Sequence, residues 1–232
     1  MTVTESLGIQ YLWVDAICIL QDNTPDKMAH LGLMGQIYNY ALFTIIAACG
    51  SNAEAGLVGV REPRAVSQQI IKIVDERSDK PEIYIITSSA RRILFGELYK
   101  ADNSVWATRG WTLQERVVSR RGLTFTPSQM YWSCRAASWS EDLFPETSIA
   151  SIISRIYNSS TSFLMADGTV WASRRDDRTD VAWNQFLRLI KDFSLRHLTA
   201  PGDAYDAFSA INQEFKSTTG VFFPLLFAHH SV

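Results

Sequence analysis

The sequence predicts an α/β protein: a parallel sheet flanked by helices, with an inserted β-hairpin and a C-terminal helical extension. Three observations carry the prediction. Residues 9–20 and 40–49 are near-continuous apolar runs rich in β-branched and aromatic side chains, the composition of strands buried on both faces. Between them Met28, Leu31, Met34 and Tyr38 recur at helical spacing. Strand, helix and strand in that order need a parallel pairing and a right-handed crossover. Near the end the helical period returns twice, at Trp183, Phe186, Leu187, Ile190 and Phe193, then at Ala204, Phe208, Ile211 and Phe215.

Taken in order, residues 1–8 predict a short helix stopped at Gly8, a common C-terminal cap. The first apolar run follows, interrupted by Asp15. A carboxylate inside such a strand must find donors or a cation, since an unpaired buried charge costs several kcal/mol, on the order of 3–5. Residues 21–26 form a polar turn in which Thr24 caps a helix with Pro25 at its first position. The second run ends at Gly50-Ser51-Asn52, and Gly56 and Gly59 keep the next stretch loop-like. Residues 69–74 and 82–87 are β-rich and flank a charged connection, the pattern of a hairpin. A short helix is expected around residues 93–98.

Residues 106–115 hold two tryptophans, an Arg-Gly pair and a Gln-Glu pair. Gly110 suits a turn, and Trp111, Leu113, Val117 and Val118 then gather on one side of a helix. Glu115 lies four residues after Trp111, over the same stripe. A carboxylate beside a buried indole is either paired or shifted in pKa. Two short strands at 122–126 and 129–134 are split by Pro127-Ser128, and residues 135–180 are polar and irregular.

Composition narrows the function. The chain has 232 residues, 47% hydrophobic and 20% charged, enough apolar content for a core. A net charge of −2 and the lack of a basic patch argue against nucleic acid. No stretch reaches the roughly 20 apolar residues of a membrane span. Cys18, Cys49 and Cys134 match neither a zinc site nor a disulfide framework. Cys18 and Cys49, inside apolar runs, fit buried reduced thiols in a cytoplasmic protein. No metal site is expected: the His229-His230 pair has no accompanying carboxylate or thiol set. The Gly56–Gly59 loop lacks the lysine and helix start of a phosphate loop.

The blocks Tyr11–Ile19 with Gln21-Asp22, Met34, Ile37-Tyr38 and Ala41, Thr44–Ala48, and Gly56-Leu57 resemble the heterokaryon incompatibility (HET) domain of filamentous fungi. So do Arg109–Glu115, Ser119-Arg120-Arg121, Phe125, Gln129, Trp132 and Cys134. The resemblance spans residues 1–135. It implies a domain there lacking the family's usual first strand of the type Tyr-x-x-Leu-Ser-Tyr-x-Trp-Gly, an irregular segment or linker at 136–180, and a helical extension at 181–232. The family is associated with fungal non-self recognition and programmed cell death. Its fold is similar to the Toll/interleukin-1 receptor (TIR) domain, a flavodoxin-like parallel sheet wrapped by helices.

In plant TIR domains a Trp-Cys-Leu-x-Glu segment carries a glutamate that supports NAD cleavage. Trp111-Thr112-Leu113-Gln114-Glu115 has the same spacing. The resemblance thus implies Glu115 as the catalytic acid, with Asp15, Arg109 and Trp111 as ligand-binding residues and NAD as a substrate rather than a bound cofactor. The alternative for Glu115 is a structural pair with Arg109, Arg120 or Arg121, and for Asp15 a buried acid held by backbone N–H groups or paired with Arg109. Trp106 and Trp111 are a base-stacking platform or core aromatics. Three functional readings follow: a signalling domain working through protein partners or self-association, a NAD-cleaving enzyme, and a degenerate paralogue with neither activity.

Overall fold

A computed structural model describes residues 1–60, 63–64, 69–73, 83–87, 104–127, 129–134, 138–141 and 178–220. Helix α1 (Thr2–Ser6) ends as expected at Gly8, whose N–H reaches the Glu5 carbonyl at 3.0 Å.

The apolar run that follows is not the expected buried strand. Residues 9–14 carry no regular structure, and Asp15–Cys18 form one helical turn, α2. Tyr11 is 81% exposed and Ile17 71%. Side chains take up backbone groups that a strand would offer a neighbour. Asp15 Oδ1 accepts from the Ala16 N–H at 2.7 Å, and Asp26 Oδ2 from the Leu20 N–H at 3.0 Å. Gln21 Nε2 donates to the carbonyls of Asp15 and Ile19. Apolar composition alone cannot distinguish this arrangement from a buried strand. Cys18, expected to be buried, is exposed in consequence, while Cys49 is buried.

Helix α3 (Thr24–Tyr40) forms over the predicted stripe, but its cap is Asn23 rather than Thr24. Asn23 Oδ1 accepts from the Asp26 N–H at 3.1 Å, and Pro25 sits in the first turn, where its missing N–H costs nothing. Strand β1 (Thr44–Ala47) is shorter than the run that predicted it. Strands β2 (Gln69–Ile73) and β3 (Ile83–Thr87) pair antiparallel with Ile71 opposite Ile85, the predicted hairpin. Its connection, and the helix expected near 93–98, lie outside the described residues.

Two helices come next, α4 (Val105–Thr108) and α5 (Gly110–Val118), then β4 (Arg121–Phe125), β5 (Met130–Cys134) and β6 (Ser138–Ser140). The main sheet has the order β1-β4-β5-β6. It is mixed, not the parallel sheet expected: β1 runs parallel to β4, whereas β4–β5 and β5–β6 are antiparallel. The tight Thr126–Gln129 turn explains the reversal, because two strands joined so closely can only be antiparallel. Strand β6 falls in a stretch read as irregular. Residues 142–177 and 221–232 lie outside the described residues.

The strand period of two divides the packing of β1. Ile45 joins Cys49, Leu123 and Phe125 on a face covered by Val3 of α1 and by Leu57, Val58 and Val60. Ile46 and Ala48 turn the other way and pack against Trp106. Thr44 Oγ1 lies 2.5 Å from Ser119 Oγ, tying β1 to the end of α5.

The C-terminal helices appear where the period places them, as α6 (Arg178–Ser194) and α7 (Ala204–Thr219). They build the largest buried cluster with α5: Leu113, Phe186, Leu189, Phe193, Ala207, Phe208, Ile211 and Phe215. At Gly35 of α3 a Cβ would press on that of Ala210, so α3 and α7 meet at small residues. Phe208 is fully buried and stands edge-on to Phe186 and Phe193, at ring separations of 6.0 and 5.1 Å. Phe208→Ala is expected to cost about 3–5 kcal/mol, read from the urea midpoint, because a rigid aromatic cluster collapses poorly onto the void.

Candidate functional site

The site is assembled around α5. Ser104 caps α4 by accepting the Ala107 N–H at 3.2 Å. The chain then extends at Arg109, with φ −86° and ψ 137°, before helix resumes at Gly110. Gly110 is not the left-handed turn expected of it; among the glycines with positive φ it does not appear. It is small for another reason: a Cβ there would collide with the Leu198 side chain.

The strand-like step at Arg109 is gripped by the segment after α6. The His197 N–H donates to the Thr108 carbonyl at 2.6 Å, and the Gly110 N–H to the His197 carbonyl at 2.8 Å. Arg196 Nη1 donates to the Arg109 carbonyl at 3.3 Å and to Thr112 Oγ1 at 3.1 Å. Asp192 holds Arg196 in turn, and also Arg116 of α5. This polar knot fastens the junction of α4 and α5 to the segment after α6.

Glu115 is half-buried beneath the apolar side of α4. Trp106 Nε1 donates to its Oε2 at 3.2 Å, and Tyr38 of α3 lies near enough to bear on its charge. Burial pushes the Glu115 carboxyl above the usual carboxylate range. The hydrogen bond from Trp106, the positive charge of Arg109 and the nearby Tyr38 hydroxyl work against that shift, and the negative charge of Asp15 adds to it. The Tyr38 hydroxyl is pushed up too, by burial first and then by the charges of Glu115 and Asp15. Trp13 meets the Tyr38 ring edge-on at 5.8 Å.

Asp15 and Arg109, both exposed, lie near enough to Glu115 for their charges to act on it. Asp15 is not a buried acid within a strand; it opens α2. Trp111 goes elsewhere, packing against the cluster formed with α6 and α7. The indole bonded to Glu115 is Trp106, nine residues earlier. Arg120 and Arg121 do not supply the structural pair considered for Glu115: their guanidinium groups bond Asn39 and the Leu42 carbonyl.

Tyr38 and Trp13 were missed as site residues. Tyr38 looked like part of a core stripe and Trp13 like part of a buried strand. The available signal was that both fall in the blocks shared with the HET domain. Among the described residues there is no group of three or more His, Cys, Asp or Glu side chains able to hold a metal, and no helix long and apolar enough to cross a membrane. The His229-His230 pair lies outside the described residues.

No curated protein and no solved structure matches this chain. The family model described as heterokaryon incompatibility protein (HET) matches residues 1–115, a span that includes Trp13, Asp15, Tyr38, Trp106, Arg109 and Glu115. The chain is a heterokaryon incompatibility domain protein.

Proposed function

We propose that this chain is a cytoplasmic signalling domain of fungal non-self recognition and programmed cell death, and that its output is cleavage of NAD at Glu115. The observation that carries the enzymatic part is a carboxyl drawn in among Trp106, Tyr38 and the charge of Arg109. Perturbed acids in such settings are candidates for chemistry. A TIR-like, flavodoxin-related fold agrees with the parallel β1–β4 pair and with packing on both faces of β1.

The reaction breaks the bond between C1′ of the ribose and the pyridinium nitrogen. The bonding electrons leave with nicotinamide, which becomes neutral. Positive charge grows on the ribosyl carbon, and water captures it with loss of a proton to give ADP-ribose. Ionised Glu115 stabilises that developing charge and orients the ribose hydroxyls. Exposed Arg109 offers its guanidinium to the diphosphate. Trp13 and Trp106 present aromatic surface to the rings.

Release of nicotinamide from NAD by the purified full chain tests this. Turnover above that of a Glu115→Ala variant supports it, and equal traces for the two proteins remove the enzyme. The second reading is a signalling domain that works only through protein partners or self-association. It is favoured by the exposed apolar side chains Tyr11, Ile17, Leu20, Tyr40 and Leu42. Concentration-dependent sedimentation without NAD turnover would select it.

A further inference from the structure

We infer that Ser119 is a positioning residue for Glu115: with Thr44 it fastens the main chain of the acid to one face of β1, the same face that seats the indole bonded to its carboxyl. The inference rests on the proposal that Glu115 is the reactive acid.

Strand geometry places the parts. Side chains two apart share a face, so Thr44 and Ile46 of β1 and Ala48 just past its end look the same way. Ile46 and Ala48 pack against Trp106, and Trp106 Nε1 donates to Glu115 Oε2 at 3.2 Å. Thr44 meets Ser119, the residue that closes α5. The Ser119 hydroxyl donates to the Glu115 carbonyl at 2.5 Å. A hydroxyl has one proton, and this one is committed, so the 2.5 Å contact with Thr44 Oγ1 is a bond from Thr44 to Ser119. A serine that bonds the carbonyl four residues back is ordinary in helices and alone would assign no role. Here the same oxygen is also held from the sheet, and both residues are buried, Ser119 at 2% exposure and Thr44 at 8%. Water cannot easily replace either partner, and breaking the chain leaves a buried polar group unmet. One strand face thus holds Glu115 at both ends, its carbonyl through Ser119 and its carboxyl through Trp106. A shift of α5 by about 1 Å against β1 would draw the carboxyl off the indole, and misplacement of that size costs a reaction on the order of 10²-fold.

The test labels the tryptophan indoles of the full chain with 15N. The Trp106 signal is identified by its loss in Trp106→Phe. In Ser119→Ala the Trp106 indole proton is expected to move upfield, as its bond to Glu115 lengthens. Its step at the Glu115 midpoint should move to higher pH, because that bond favours the anion. Asp15, Arg109 and Tyr38, the other groups acting on the acid, are left in place. Ser119→Thr keeps the hydroxyl and should hold the indole signal near its wild-type position. The kcat for nicotinamide release should fall in the alanine variant by on the order of 10²-fold. If Ser119→Ala does not fold, Thr44→Val, which removes only the strand-side donor, is expected to move the indole in the same direction. An unmoved indole, or one moved equally by Ser119→Thr, overturns the inference. A further measurement needs no variant. In an equal mixture of light and heavy water the Ser119 13Cβ signal of the wild-type chain should split in two, because a buried hydroxyl bonded on both sides exchanges slowly; a single averaged line overturns the inference equally. Neither spectrum requires turnover. A moved indole in a chain that releases no nicotinamide would leave Ser119 in its role and remove NAD cleavage alone.

Discussion

Glu115→Gln is expected to lower the proposed NAD cleavage by on the order of 10²–10⁴-fold and, at the same time, to make the protein harder to unfold at neutral pH. The first effect follows from losing the negative charge that steadies the ribosyl cation. The second follows from linkage. In the unfolded chain Glu115 titrates near the ordinary glutamate value, about 4.5; in the folded chain burial raises it. Between those two points the folded state holds a proton that the unfolded state has released. Stability is therefore greatest below the unfolded value, falls as pH climbs through the folded one, and levels off above it. Glutamine keeps an oxygen for the Trp106 N–H and cannot ionise, so that decline should disappear. Melting temperature against pH, wild type beside variant, provides the check. A variant less stable than wild type above neutral pH would show that the ionised acid is a structural asset instead.

Asp192→Ala is expected to cost about 3–5 kcal/mol, the range for removing one partner from a buried charged group. Asp192 Oδ2 takes Arg116 Nη2 at 3.2 Å and Arg196 Nη2 at 3.0 Å, and Oδ1 takes Arg196 Nε at 3.1 Å. The Arg116 and Arg196 side chains are only 7% and 3% exposed. Without the carboxylate, two guanidinium groups face each other in a poorly solvated space. Asp192→Asn should cost less, since it retains an acceptor. Urea unfolding of both variants decides the matter, and a cost below about 1 kcal/mol for alanine would place the pair among weak surface ion pairs. Because Arg196 also holds the Arg109 carbonyl and Thr112, the alanine variant should lose nicotinamide release as well.

The helices were legible because each carries a repeating apolar stripe: α3, α5, α6 and α7 all lie where the spacing put them. The hairpin was legible from two β-rich runs around a charged connection. The segment at 9–20 was not. Its apolar content matches a buried strand, but Asp15, Gln21 and Asp26 bond locally to its backbone, and hydropathy does not register such bonds. Mixed pairing in the sheet was hidden for a related reason, since β4 and β5 are too short to declare direction without the turn between them. Around Glu115, spacing pointed to Trp111, whereas the indole bonded to the carboxyl is Trp106. Trp111 and Glu115 share a helical face in projection, yet Leu113, Trp111 and Val117 are drawn toward α6 and α7, whereas Glu115 reaches back to α4. Which neighbour claims a side chain is decided by elements distant in sequence.

The grip of residues 196–198 on Thr108–Gly110 bears on how variants of this protein can be recombined. The span that matches the family model ends inside α5, while the partners of that helix arrive from beyond residue 178. A chimaera joined at Glu115 would marry one chain's helix to another chain's clasp. Mismatches at Leu198, Asp192 or Phe208 would then appear as misfolding and could be mistaken for a change in function. Exchanges intended to map specificity should therefore carry residues 1–115 and 178–220 together.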